Sequence, residues 1–219
     1  MKFDANTLQV LKNFSTINPT MMFKSGNVLR TISPTKSVLA KSTIADTIPS
    51  DFGIYDLSRF LGTLSLFGEP ELEVKTGVVE ISEGKNKFKY ALTDSSMIVV
   101  APDKDITLPD PEIKFELTTD TLTRVMKALS VSQLPHIAVV GDGATISLQA
   151  MDAEGKSNDT YSVAVGETDA TFKMIFRADN IKLIGGTYDV EISSKGLSHF
   201  KGTNVEYWIA VESSSTYQS

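Results

Sequence analysis

The 219-residue sequence contains no cysteine. This absence excludes disulfide bonds and thiolate metal sites, and with them the small secreted scaffolds that depend on disulfides. The sequence also has no run of about eighteen apolar residues, so we expect no membrane-spanning helix. Its first residues, Met1-Lys2-Phe3-Asp4, lack the apolar stretch of a secretion signal. We therefore expect a protein of the cell interior.

Recognisable catalytic motifs are missing as well. There is no Walker loop, no G-x-S-x-G and no G-x-G-x-x-G. Neither His136 nor His199 has a second ligand at metal-binding spacing. The Gly141-Asp142-Gly143 segment stands between two predicted strands, which favours a hairpin turn over a phosphate-binding loop. We therefore predict no catalysis, no cofactor and no metal, although an enzyme with an unrecognised site remains an alternative.

Short strands dominate what the sequence does contain. Hydrophobic residues make up 41% of the chain, enough to bury an ordinary globular core. Alternating or continuous apolar runs, several of them joined by glycine-containing turns, are typical of β-strands. The predicted strands are Val78–Ser82, Lys87–Leu92, Met97–Ala101, His136–Val140, Ala144–Ala150, Thr187–Ser193 and Glu206–Val211.

Four other segments have the apolar spacing of helices, each after a residue that can accept hydrogen bonds from free N–H groups at the helix start. The predicted helices are Ala5–Phe14 after Asp4, Leu57–Phe67 after Asp56, a helix to Val131 after Thr119 or Asp120, and a short turn after Asp179 that ends at Gly185.

The predicted helices recur at similar intervals, and each follows a strand-like piece with a phenylalanine. A unit of strand, helix and further strands thus appears four times, with chance periodicity as the alternative. Prolines 102, 109 and 111 mark a connector between two pairs of units. We predict an N-terminal domain over residues 1–101, a connector over 102–111 and a C-terminal domain over 112–219.

Positive charge is concentrated in the predicted helices. The chain as a whole carries a net charge of −6, which by itself argues against a nucleic-acid partner. The helix bodies nevertheless contain five bases and no acid: Lys12, Arg59, Arg124, Lys127 and Lys182. Arg124 and Lys127 lie opposite the apolar face of their helix, and Arg59 and Lys182 are displaced from the apolar faces of theirs. Ordinary solvated helix faces are the alternative, although such faces usually mix both signs. The pattern predicts a basic surface that binds duplex DNA through its phosphates without reading bases.

Three short blocks resemble a known family. Leu11-Lys12-Asn13-Phe14 resembles the first helix of the sliding clamps of T-even-type bacteriophages. Ile54-Tyr55-Asp56-Leu57 resembles the start of their second helix. The segment over residues 205–212 is similar to their last strand, and also to a strand of the eukaryotic clamp, proliferating cell nuclear antigen.

The resemblance implies an α+β DNA-clamp fold. Each chain would have two similar domains with antiparallel sheets outside, and three chains would form a homotrimeric ring whose helices line a central hole. Twelve helices spaced ~9 Å apart would leave a hole of about 24 Å, enough for a B-form duplex of roughly 20 Å. Such a ring encircles duplex DNA without sequence specificity and tethers the replicative DNA polymerase.

The resemblance also implies partners and a setting. An ATP-dependent clamp loader would place the ring on DNA in the cytoplasm of the bacterial host, with no membrane involved. The alternative from another class is a strand-rich phage structural or assembly protein with no DNA role.

Two further sites come from the resemblance. Partner peptides would dock in an apolar pocket lined by Trp208, Ile106 and Leu108, although Trp208 could equally be an ordinary core aromatic. Subunits would join by edge-strand pairing between residues 97–101 of one chain and 160–165 of the next. The apolar residues of these two segments are Met97, Ile98, Val99, Tyr161, Val163 and Val165.

Overall fold

The computed structural model describes residues 1–218 and divides the chain into two compact units, Met1–Asp105 and Ile106–Ser219. The division lies within the predicted connector. Both units combine α-helix with antiparallel strands, so the predicted α+β class is confirmed. Within the described residues, no helix is both long and apolar enough to cross a membrane.

Unit 1 contains two α-helices, seven strands and one short 3-10 helix. Along the chain they are α1 (Ala5–Ile17), β1 (Met21–Phe23), β2 (Gly26–Ile32), β3 (Val38–Ile48), β4 (Phe52–Ile54), α2 (Leu57–Leu64), β5 (Glu71–Lys75), β6 (Val78–Glu83), β7 (Asn86–Ala91) and the 3-10 helix Ser95–Met97.

All strand pairs of unit 1 are antiparallel. β1 pairs with β4, β2 with β3, and β5, β6 and β7 follow one another in a three-stranded sheet. The turn from β6 to β7 needs a residue in the left-handed region, and Gly84 supplies it with φ 59°. β7 forms one edge of its sheet, and most of its side chains are exposed.

Aromatic rings form the centre of unit 1. Phe23 stacks on Phe52 with ring centroids 4.5 Å apart, and Phe60 meets the edge of Tyr90 at 5.1 Å. The Tyr90 hydroxyl donates a hydrogen bond to the Asp56 carbonyl at 3.0 Å, so the start of α2 is attached to β7, the last strand of the three-stranded sheet. This packing fixes which face of α2 is buried.

The described part of unit 2, residues 106–218, contains one α-helix, nine strands and one short 3-10 helix. They are β8 (Ile113–Leu117), α3 (Thr119–Ser132), β9 (His136–Asp142), β10 (Thr145–Met151), β11 (Thr160–Glu167), β12 (Thr171–Arg177), the 3-10 helix Ala178–Asn180, β13 (Tyr188–Ser193), β14 (Leu197–Lys201), β15 (Val205–Ala210) and β16 (Thr216–Gln218).

Two antiparallel arrays form unit 2. One has the order β11-β10-β9-β12-β16, and in the other β8, β13, β14 and β15 pair in sequence. Gly141 on β9 lies against the ring of Phe172 on β12, so closely that an added Cβ would clash with it. β11 is an edge strand with mostly exposed side chains.

A local feature recurs in the two units. The backbone N–H of Leu57 donates to the Pro19 carbonyl at 2.7 Å, and that of Ala178 donates to the Pro135 carbonyl at 2.9 Å. In unit 1 the residue before this contact is Asp56, whose carboxylate caps α2 by accepting from the Arg59 N–H at 2.8 Å. In unit 1, α2 therefore begins directly after this backbone contact, because Asp56 caps it.

The fourth predicted helix is wrong. Arg177 stands where Asp56 stands in unit 1, and its side chain makes no capping hydrogen bond, so only the 3-10 helix Ala178–Asn180 forms. The chain that follows is attached to the core instead, because the Ile184 N–H donates to the Tyr207 hydroxyl and the Ile184 carbonyl accepts from the Tyr188 hydroxyl. Residues 1–218 contain three α-helices, so three chains would supply nine helices rather than the twelve expected.

The other helices agree with prediction except at their ends. Asp4 caps α1 and Asp56 caps α2. α3 starts earlier than predicted, because Thr118 rather than Thr119 or Asp120 accepts the N-cap hydrogen bond from the Thr121 N–H. α2 ends at Leu64, short of the predicted end at 67.

Six of the seven predicted strands are confirmed, with ends shifted by at most two residues. The strand over 97–101 is wrong. The Asp94 side chain accepts the Ser96 N–H at 2.8 Å and opens a 3-10 turn, while the Val99 carbonyl accepts from the Asn18 side chain at 3.2 Å. Side-chain hydrogen bonds thus replace a strand ladder.

Candidate nucleic-acid interface and partner sites

The two helices of unit 1 each present one base to solvent. Lys12 is exposed on α1, whose other side buries Leu11 and Phe14. Arg59 is exposed on α2, and its guanidinium lies 5.8 Å from the centroid of the Tyr90 ring. This cation–π contact holds the Arg59 stem against the domain while the charge stays accessible.

The helix of unit 2 presents two bases and one acid. Arg124 and Lys127 are exposed, opposite the buried Leu122, Val125 and Leu129. Because α3 starts at Thr119, Asp120 lies in its first turn, one turn before Arg124, and pairs with the Arg124 guanidinium at 2.9 Å. The prediction of a helix without acids therefore missed Asp120. Including Asp120 in the helix would have required placing the N-cap at Thr118.

Lys182 differs from the other four predicted DNA-facing residues. It is half-buried, and it lies in the segment after the 3-10 helix rather than on an α-helix. Its backbone N–H donates to the Asn180 carbonyl at 3.1 Å. The structure therefore places Lys12, Arg59, Arg124 and Lys127 on exposed helix faces but does not give Lys182 the same setting.

Trp208 lies on β15 and is 4% exposed. The His199 ring of neighbouring β14 stacks on it with centroids 4.6 Å apart, and His199 Nε2 lies 2.9 Å from a Glu206 carboxylate oxygen. The Trp208 Nε1–H has no hydrogen-bond partner within residues 1–218. Ile106 and Leu108 of the predicted pocket are half-buried in irregular chain.

The residues predicted for subunit contacts fall in different settings. Tyr161, Val163 and Val165 lie on the edge strand β11 as expected. Met97 and Val99 are exposed, whereas Ile98 is buried at 8% exposure, and none of these three belongs to a strand. The sequence predicted β7 as one strand of a hairpin, from the glycine-containing turn before it. It did not identify β7 as an edge strand, although lysines on a strand are a sign of an edge.

Asp152 and His136 form a further polar cluster in unit 2. Asp152 accepts hydrogen bonds from the N–H groups of Glu154 and Lys156, which lowers the pKa of its carboxyl. His136 Nδ1 accepts from the Ala153 N–H at 3.2 Å. Within the described chain, no three His, Asp or Glu side chains are arranged to hold a metal ion. These contacts shape a turn.

Comparison with known proteins matches both units to one family. A model described as DNA polymerase processivity factor matches residues 3–100, and one described as gp45 sliding clamp, C terminal, matches residues 114–213. The sliding clamp of Vibrio phage KVP40 is 34% identical over 220 residues, covering 97% of this chain and 99% of the phage protein. That of Enterobacteria phage T4 is 31% identical, covering 99% of each chain.

Solved structures agree on the fold. Proliferating cell nuclear antigen (PCNA) from Thermococcus kodakaraensis aligns with a TM-score of 0.71 at 17% identity, covering 97% of this chain and 99% of that one. PCNA of A. fulgidus, solved with the C-terminal region of FEN-1 bound, aligns at 0.68 and 15% identity, covering 94% of each. The predicted DNA-clamp fold and the resemblance to T-even-type clamps are confirmed. The chain belongs to the sliding-clamp family of DNA polymerase processivity factors of T4-like phages.

Proposed function

We propose that three copies of this chain form a ring that encircles duplex DNA without sequence specificity and tethers the replicative polymerase. The observation that supports this function is the placement of an exposed base on every α-helix, on the side away from the core. The ring itself performs no catalysis. An ATP-dependent loader, working in the cytoplasm of the bacterial host, opens it and places it on DNA.

Phosphate attraction keeps the duplex centred. Lys12, Arg59 and Lys127 lead in this role, since they are exposed and have no ion-pair partner among residues 1–218. Arg124 contributes less because Asp120 shares its charge. Lys182 contributes least, since it is half-buried. Each lost phosphate contact should lower the slope of log affinity against log salt by about 0.9, equally for all sequences.

Retention on circular DNA tests the topological part of the proposal. The loaded clamp should stay on nicked circular DNA and leave after linearisation. Replacing Lys12, Arg59 and Lys127 by glutamine should shorten retention and flatten the salt dependence, whereas Lys36→Gln, in the turn from β2 to β3, is the control for losing a base outside the helices. Equal retention on circular and linear DNA would contradict encirclement.

Subunits join through β11 of one chain and β7 of the next. Both are edge strands with largely exposed side chains, including Tyr161 at 37% and Phe88 at 36% exposure. Lys87 lies near the start of β7, and Glu167 is the last residue of β11. In an antiparallel pair the start of one strand lies beside the end of the other, so these two opposite charges would face each other. β7 thus replaces the segment around Met97 as the proposed partner strand.

Charge reversal tests this contact. Three chains of 23.8 kDa give a native mass of about 71 kDa for the symmetric trimer. Lys87→Glu should lower this mass in sedimentation, and adding Glu167→Lys in the same chain should restore it. A trimer that persists in Lys87→Glu alone would place the contact elsewhere.

Partners dock at the connector. We assign Ile106, Leu108 and the neighbourhood of Trp208 to this role, since the first two are apolar and only half-buried. Leu108→Ser should shorten the products of the polymerase without changing retention of the clamp on circular DNA. If Leu108→Ser reduced retention on circular DNA as much as it reduced product length, the result would instead indicate a damaged ring.

A further inference from the structure

An ion cluster ties the end of unit 1 to the hairpin of β2 and β3. Arg30 of β2 donates to the Asp105 carboxylate through Nη2 at 2.6 Å, and Lys41 of β3 donates to the same oxygen through Nζ at 3.0 Å. Asp105 is the last residue of unit 1, and Ile106 of the proposed docking segment follows it directly.

The two cations are placed where they need a carboxylate. Arg30 and Lys41 are direct cross-strand partners, and their side chains are only 17% and 18% exposed. Like charges opposite each other destabilise a sheet, and partial burial strengthens that repulsion. Asp105 offsets it by bridging both. The Arg30 guanidinium, and then the Lys41 ammonium, lower the pKa of the Asp105 carboxyl.

Neighbouring connector residues are not held in this way. Asp103 is exposed and has no hydrogen-bond or ion-pair partner among residues 1–218. Lys104 is likewise exposed. The side-chain attachment of this stretch to the sheet therefore depends on Asp105, and Asp103 offers a matched change of the same charge two residues away.

We propose that Asp105 is a positioning residue, which Arg30 and Lys41 anchor so that the adjacent Ile106 and Leu108 are presented to docking partners in one arrangement. The docking half of this inference rests on the proposed function, whereas the anchoring half does not. Pre-arranging a docking segment improves affinity because less conformational freedom is lost on binding.

Backbone NMR order parameters of the free clamp test the anchor. Asp105→Asn and Arg30→Gln should each lower the order parameters of the amides over 103–108, from the values of rigid backbone, about 0.85, toward those of flexible chain, below about 0.6. The double variant should be no more mobile than Asp105→Asn alone, and Asp105→Glu should restore the higher order parameters. Asp103→Asn should change nothing, and the thermal midpoint should stay within about 2 °C in all Asp105 variants. Unchanged order parameters in Asp105→Asn, or additive effects in the double variant, would overturn the anchor.

Polymerase product length tests the docking half, with Leu108→Ser as the benchmark. Asp105→Asn should shorten products less than Leu108→Ser does, and Asp105→Glu should restore them. If Leu108→Ser shortens products and Asp105→Asn does not, positioning by Asp105 is refuted. If Leu108→Ser also leaves products unchanged, the assignment of docking to the connector fails, and the positioning role fails with it.

Discussion

Removing the negative charge of Asp120 should make the clamp hold DNA more strongly. Asp120 is the one acid within the bodies of the three α-helices, and its carboxylate lies 2.9 Å from the Arg124 guanidinium. Both side chains are well exposed, 72% for Asp120 and 62% for Arg124. Asp120→Asn therefore frees a base that is already on the exposed face of α3.

The magnitude follows from these exposures. An exposed i,i+4 pair contributes about 0.3–0.5 kcal/mol to its helix, so Arg124 gives it up easily. In a trimer, three freed arginines could add up to about three phosphate contacts, each steepening the salt dependence by roughly 0.9. The same change removes an acid from the first turn of α3, which should cost about 0.3–1 kcal/mol of stability.

The assay is retention on nicked circular DNA as a function of salt, beside a thermal scan. Asp120→Asn should lengthen retention at low salt and lower the thermal midpoint slightly. Asp169→Asn, the same charge change in the turn from β11 to β12, is the control, and adding Arg124→Gln should abolish the gain. A lower midpoint without longer retention would show that Arg124 does not face the duplex.

Three further predictions concern stability. Asp4→Ala should lower the free energy of unfolding by about 1 kcal/mol through loss of the α1 cap. The Thr7 N–H lowers the pKa of the Asp4 carboxyl. Calorimetry should therefore show the stability difference at neutral pH, and the difference should vanish as the pH falls through that lowered pKa. Gly141→Ala should cost about 1–3 kcal/mol in urea unfolding, because its Cβ would overlap the Phe172 ring, and a neutral result would contradict the packing. Trp208→Phe should change stability by less than about 1 kcal/mol, since losing ring area is offset by removing an unpaired buried N–H that itself costs about 1–3 kcal/mol.

Local signals carried most of the successful prediction. Asp4 and Asp56 act on N–H groups three residues ahead, so their sequence context is enough to place α1 and α2. The hairpin of β6 and β7 needs only a glycine turn between alternating strands. Such features depend on neighbours in sequence, and so they can be read without knowledge of the fold.

The failures involve contacts made across long stretches of chain. Ile184 is held by hydroxyls from two later strands, which no pattern near Asp179 reveals. The Val99 carbonyl is taken by Asn18, eighty-one residues away, so an apolar run that looks like a strand is used as an anchored loop. The stacking of His199 on Trp208 likewise depends on strand register, which composition does not specify.

The absence of the predicted fourth helix within residues 1–218 does not require weaker DNA binding. Unit 1 divides two exposed bases between α1 and α2, whereas unit 2 carries two on α3 alone. Sequence-blind attraction depends on how many charges reach phosphates, not on how many helices carry them. A neutral threonine cap at 118, in place of the acidic caps of α1 and α2, also keeps the N-cap of α3 free of charge. The single acid that remains, Asp120, is therefore the position at which the charge of unit 2 can most easily be raised.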